Sequence, residues 1–159
     1  MKKFDLGQAI QYAANIGVLL GIIFLAIEIR VNTRAVQAQT RDSVSEKEMQ
    51  LYAWQATNPE LARVVYKARS EGLEGFDPVE RQMFFGYAEA FFREHENALY
   101  QFEMGLFSEQ EFAGRVENMR SIMANDGPFR SHWEGRRNVF SPSLQAEIDR
   151  FTTETEGQE

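Results

Sequence analysis

The side chains best suited to chemistry lie together at positions 93–97, which read Arg, Glu, His, Glu and Asn. The imidazole of His95 belongs to a residue type that titrates near neutral pH or ligates a metal. A metal site needs further donors on facing helices, and the Glu-x-x-His spacing of di-iron bundles would require an acid at position 92, which is Phe92. We therefore interpret His95 as a core histidine with satisfied hydrogen bonds.

Four residues form what we call the polar cluster, namely Arg93, His95, Glu96 and Asn97. Glu89 lies four residues before Arg93, a spacing at which opposite charges pair on the surface of a helix. These side chains predict a hydrogen-bonded network between helices that fixes their register. The sequence has no phosphate-binding glycine loop, no paired-histidine motif and no cysteine, so we predict no catalytic residue, no cofactor and no metal site.

The elements that must position this cluster are helices. Three sites combine an N-cap side chain with proline or an acid in the first turn, the pattern of a helix start. They are Asn58 before Pro59, Asp77 before Pro78 and Glu80, and Ser108 before Glu111. Residues 78–104 repeat apolar side chains at helical spacing and form the predicted central helix. No stretch alternates as a strand would, so we predict an all-α helical-bundle domain over residues 58–151, followed by a disordered acidic tail at 152–159.

Residues 7–27 carry no charge. A helix of that length, at ~1.5 Å per residue, spans roughly the ~30 Å hydrocarbon core of a bilayer. A cleaved signal peptide is one alternative, but the only small-residue cleavage site, before Gln39, lies beyond several charges. A buried helix of a soluble protein is the other, although no later segment is apolar enough to surround it. We predict a transmembrane anchor at residues 1–30 and a helical stalk at 31–57.

Two faces of the predicted transmembrane helix differ from ordinary lipid-facing surface. Small side chains recur every fourth residue and allow a second helix to approach closely. They are Ala9, Ala13, Gly17 and Gly21. Polar side chains, which in a membrane require a partner or water, lie on roughly the opposite face. They are Gln8, Gln11 and Asn15. These faces predict a homo-oligomer or a larger membrane complex within the lipid bilayer.

The net charge of −7 is unevenly distributed, because residues 1–34 sum to +2 and the remainder therefore sums to −9. An acidic domain of this kind is a poor partner for nucleic acid, so we predict no nucleic-acid binding. Positive residues favour the cytoplasmic side of a membrane helix, and more of them follow the segment than precede it. They include Arg30, Arg34, Arg41 and Lys47. This bias predicts a cytoplasmic C-terminal domain.

Four sequence runs resemble those of a group of small bacterial membrane-anchored proteins with no assigned activity. They are IEIRVNTRAVQAQT after the apolar segment, NPELA from Asn58, FFREHENALYQ around Arg93, Glu96 and Asn97, and FSPSLQAEIDRF near the end. The resemblance covers most of the chain and implies the bacterial inner membrane as its location. We therefore predict a non-enzymatic, membrane-anchored oligomer or accessory subunit. The alternatives are a homo-oligomeric channel or transport component, and an enzyme or small-ligand sensor that uses His95.

Overall fold

A computed structural model describes the backbone of residues 6–156 and the side chains of 7–151. Six α-helices and one short 3₁₀ helix make up the fold, and no strand occurs within the described backbone. They are α1 (Leu6–Thr57), α2 (Pro59–Glu71), α3 (Pro78–Glu103), α4 (Glu109–Asn125), α5 (Gly127–Arg136), the 3₁₀ helix (Arg137–Val139) and α6 (Pro142–Glu156). The all-α prediction is confirmed.

The chain divides into two units between Gln39 and Thr40. In the first unit, large apolar side chains project from every side of α1 between Ile10 and Val31. Each of them is 55% to 67% exposed. By length and composition α1 is able to cross a membrane, and its most apolar stretch is unburied.

The second unit has its core around α3. The largest fully buried side chains there include Phe84, Phe92, Met119, Phe129, Leu144 and Ile148. The ring of Phe129 meets the rings of Phe84 and Phe91 edge-on, with centroids 5.4 Å and 5.3 Å apart. Aromatic pairs favour this edge-to-face geometry, because the positive ring edge meets the negative face. The contacts hold α5 against α3, the helix that carries the polar cluster.

The end of α1 belongs to this second unit. Val44 and Leu51, seven residues apart, are buried in its core. Residues at that spacing lie on one face of a helix, so α1 contributes an apolar stripe to the bundle. The latter part of the predicted stalk therefore packs with the domain that the sequence prediction begins at Asn58.

The helices begin at the predicted capping signals. The side chain of Asn58 accepts hydrogen bonds from the backbone N–H groups of Glu60 and Leu61, each at 3.1 Å. Reciprocal capping boxes open α3 and α4, formed by Asp77 with Glu80 and by Ser108 with Glu111. Each cap satisfies N–H groups that the helix itself leaves unpaired, and is typically worth ~1 kcal/mol.

The C-terminal end of α3 agrees with the sequence prediction, whereas that of α6 does not. Gly105, the predicted terminator of α3, has φ 70°, in the left-handed region that glycine adopts without strain. α6 extends to Glu156, beyond Phe151, where the sequence predicts its end. Residues 152–156 of the predicted tail are therefore helical, because the first glycine or proline after Phe151 is Gly157. Residues 157–159 lie outside the described chain.

Candidate functional site

His95 is buried in the middle of α3 and paired with an acid from α6. Its Nε2 atom lies 2.8 Å from Oε2 of Glu147. The two residues are 4% and 3% exposed. In the tautomer that carries the proton on Nε2, the imidazole donates to the Glu147 carboxyl group, so the two buried side chains are partners. The pair links α3 to α6 and meets the hydrogen-bonding requirement of a core histidine.

Glu147 is the residue that the sequence interpretation of His95 lacked. It lies 52 residues further along the chain, so no local spacing relates it to His95. The sequence does contain one indication that Glu147 is buried. In α6 it falls on the same face as the buried Leu144, Ile148 and Phe151. An acid on an apolar stripe requires a buried partner, and that requirement would have singled it out.

A groove of about 520 Å³ lies between α3, α4 and α6 and has Glu147 in its lining. Its apolar lining includes Leu99, Phe102, Phe112, Val116 and Phe151. The rings of Phe102 and Phe112 stack with their centroids 4.6 Å apart and their planes at 9°. The ring of Phe112 also lies 5.8 Å from that of His95. The buried pair and the groove therefore share one boundary and form the candidate site.

The rest of the polar cluster faces a different part of the domain. Arg93 donates to Oε2 of Glu96 at 2.8 Å and to the backbone oxygen of Val139 at 3.1 Å. Oε1 of Glu96 accepts a hydrogen bond from the backbone N–H of Ser141 at 2.6 Å. Side chains two residues apart on a helix point in nearly opposite directions, which separates these contacts from His95. Arg93 and Glu96 hold the segment that enters α6.

Electrostatics support that structural role. Burial raises the pKa of Glu96, but hydrogen bonds from Ser141 and Arg93 outweigh it and leave this pKa below its ordinary value. The guanidinium of Arg93 also lies 4.3 Å from the centroid of the Phe140 ring, within the range of a cation–π contact. Asn97, the fourth member of the cluster, is half-buried one residue after Glu96. The structure thus brings Arg93 and Glu96 together and places His95 elsewhere.

A second ionic group, partly buried and centred on Arg115 of α4, lies beside His95. Nη1 of Arg115 is 2.7 Å from Oε1 of Glu94, and Nη2 is 2.6 Å from Oε2 of Glu48. Burial raises the pKa of Glu94, and the charge and hydrogen bonds of Arg115 oppose this increase. The group joins α1, α3 and α4. No pattern in the sequence indicated Arg115.

His132 pairs with Glu89, whose Oε2 atom lies 3.2 Å from the imidazole Nε2. Burial lowers the pKa of His132, although the hydrogen bond to Glu89 raises it. Glu89 also makes the predicted i, i+4 ion pair with Arg93, at 3.2 Å, and lies 3.5 Å from Nε of Arg136. The positive side chains of this region are thus matched by acids, and the contacts fit a structural role.

The residues of the two predicted membrane-helix faces all lie in the first unit. The side-chain amide of Gln11 donates to Oδ1 of Asn15 on the same helix at 3.2 Å. Gly17 and Gly21 have open space around them, since a Cβ atom added at either would meet nothing within 4 Å. Within the described residues, no group of three His, Cys, Asp or Glu side chains is placed to hold a metal ion.

Comparison of this chain with protein-family models, with curated proteins and with solved structures finds no match. The resemblance to small bacterial membrane-anchored proteins therefore stays a prediction.

Proposed function

We propose that this chain is a single-pass membrane protein whose helical domain acts as a non-enzymatic interaction or accessory subunit. The main support for this proposal is the exposure of α1, because every large apolar side chain from Ile10 to Val31 is at least 55% exposed. Soluble monomers rarely expose contiguous apolar patches above a few hundred Å². Covering each large apolar side chain is worth roughly 1.5–3 kcal/mol, so this helix requires an apolar surrounding.

Lipid is the covering that fits the distribution of these side chains. The run from Val18 to Leu25 is apolar at every position, so at ~100° per residue it is apolar in all directions. A single protein partner covers one face of a helix, whereas lipid covers all of them. The backbone N–H and C=O groups of a helix are paired internally, as the hydrocarbon layer requires.

The polar residues near the start of the segment are compatible with an anchor. Gln11 bonded to Asn15 on the same helix reduces the cost of placing both amides near lipid. This bond favours an anchor over the alternative of a homo-oligomeric channel, whose polar groups would face water. We also propose that the helix oligomerises through Ala9, Ala13, Gly17 and Gly21. The membrane in this proposal is the bacterial inner membrane, with the C-terminal domain in the cytoplasm.

Membrane fractionation tests the anchor. The full-length chain, expressed in bacteria, is expected to stay in the membrane pellet after a carbonate wash and to dissolve only in detergent. A variant with Leu20→Arg and Phe24→Arg is expected to move to the soluble or aggregated fraction, since each central arginine costs ~2.5–3.5 kcal/mol of insertion. The matched control is Asn32→Arg, which adds a positive charge beyond the apolar run and is expected to remain in the pellet.

Intact mass separates an anchor from a cleaved signal sequence. An anchored chain retains its apolar segment, so the membrane fraction is expected to give the mass of the full chain. Recovery of a shorter chain that begins after the apolar run contradicts the anchor. So does a full-length chain that carbonate releases from the membrane.

A further inference from the structure

The groove between α3, α4 and α6 has room for a small molecule. Its volume of about 520 Å³ lies within the ~300–1,000 Å³ typical of small-molecule pockets. Its lining includes the stacked rings of Phe102 and Phe112 from facing helices, together with Phe151 from α6. A ligand with an apolar body therefore gains free energy by leaving water and lying against these rings.

One ionisable group is buried in this lining. Glu147 is 3% exposed, and its Oε2 atom is bonded to His95. Within the described part of the chain, its other oxygen, Oε1, receives no hydrogen bond. Since Glu147 lines the groove, a donor brought by a ligand would give this oxygen a hydrogen bond.

The charges around the groove favour a positive ligand. Among the residues whose side chains the structure describes, four carboxylates and two guanidiniums line it, namely Glu103, Glu109, Glu117, Glu147, Arg120 and Arg150. The guanidinium of Arg120 already lies 5.0 Å from the centroid of the Phe151 ring, and its Nε atom lies 3.5 Å from Glu117. An anionic ligand would be repelled by these carboxylates, which outnumber the guanidiniums. A cation meets attraction from these groups and from the aromatic faces.

The geometry points to a binding site for a small organic ammonium ion that has an aromatic or aliphatic body. The body lies against Phe102 and Phe112, and the ammonium group donates a hydrogen bond to Oε1 of Glu147. His95 acts as a positioning residue that holds the carboxylate in place. This site does not depend on whether α1 crosses a membrane, so its failure and the failure of the anchor are separate results.

Three probes with a shared phenyl body and different head groups test the assignment. Phenethylammonium, hydrocinnamate and phenethyl alcohol carry a positive, a negative and a neutral head group. Each is titrated into the full-length protein in detergent, with ligand-observed NMR for binding and the imidazole resonances of His95 for location. Phenethylammonium is expected to bind at least about tenfold more tightly than the other two, as a charged hydrogen bond predicts.

Two variants and one control locate the site. Glu147→Gln removes the charge but keeps an acceptor for His95, and is expected to weaken phenethylammonium binding about tenfold or more. Ala113→Trp fills the groove from an exposed position of its lining and is expected to abolish binding without disturbing the buried pair. Glu134→Gln makes the same charge change on an exposed part of α5 and is expected to leave binding unchanged.

Far-ultraviolet circular dichroism and the midpoint of thermal unfolding report whether each variant is folded. Should Glu147→Gln fail to fold, Ala113→Trp and the comparison of head groups still decide the question. Equal or tighter binding of hydrocinnamate overturns the proposal, and so does unchanged affinity in a folded Glu147→Gln or Ala113→Trp variant. The absence of binding by all three probes overturns it as well.

Discussion

Replacing Arg115 with methionine tests whether the partly buried ionic group beside His95 holds α1, α3 and α4 together. Methionine keeps the apolar stem of arginine and removes its charge. The side chains of Arg115 and Glu94 are 10% and 8% exposed, whereas that of Glu48 is 35% exposed. The substitution therefore leaves Glu94 as a buried carboxylate without its cation, while Glu48 is able to turn towards water.

The size of the effect follows from this burial. Removing one partner of a buried ion pair typically costs ~3–5 kcal/mol, because the remaining charge has lost its hydration and its counter-charge. Since Arg115 bonds both oxygens of Glu94, at 2.7 Å and 2.9 Å, we expect a loss of ~3 kcal/mol at neutral pH. Replacing both residues, as Arg115→Met with Glu94→Met, is expected to restore most of it, since apolar replacement of a whole buried pair is often neutral.

The loss is expected to depend on pH with a defined sign. Burial already raises the pKa of Glu94 from 4.5, and loss of Arg115 removes the interaction that opposes this increase. A carboxyl group whose pKa is higher in the folded state stabilises the fold below its unfolded pKa. That stability is lost as pH rises through the folded pKa. The difference between wild type and Arg115→Met should therefore be large at neutral pH and shrink as pH falls towards 4.5, because protonation removes the uncompensated charge of Glu94.

Urea unfolding in detergent, followed by the emission of Trp133 in a Trp54→Phe background, measures this difference in the free energy of unfolding. Arg137→Met is the matched control, because Arg137 pairs with Asp149 at the surface, where both side chains are about half exposed. It is expected to cost at most ~1 kcal/mol. A double variant as unstable as Arg115→Met alone, or a loss that grows at acidic pH, would refute the reasoning.

Two further predictions concern self-association and acid stability. Gly17→Leu with Gly21→Leu is expected to reduce the oligomer mass measured by light scattering in detergent, because leucine side chains prevent the close approach of a second helix. Open space around both positions lets the helix itself tolerate leucine. An unchanged mass, as expected for Ile22→Leu, contradicts the predicted interface. Hydrogen bonds, chiefly from Lys67, lower the pKa of Glu80 to about 2, so its stabilising effect is present above pH 4.5 and lost as pH falls towards 2. Glu80→Gln is therefore expected to be less stable than wild type at neutral pH, with a difference in thermal unfolding that narrows on acidification; a constant difference contradicts this.

The helices of this protein could be predicted from the sequence because the signals that specify them are local. Asn58 and Asp77 cap N–H groups two or three residues away, so each cap can be predicted from a run of four residues. The apolar character of residues 7–27 is equally local, since it depends on composition and length. These features determine an all-α chain that begins with a long apolar helix.

The candidate site, in contrast, was decided by tertiary packing. His95 and Glu147 are 52 residues apart and meet because α6 packs beside α3. Arg115 and Glu48 are 67 residues apart and meet because α4 packs on the end of α1. The sequence placed His95 in one cluster with Arg93 and Glu96, but their contacts separate because neighbouring helical residues face different directions. Pairings between distant helices depend on how whole apolar faces fit together. The spacing of residues along the sequence does not show which faces meet, so these pairings could not be predicted from it.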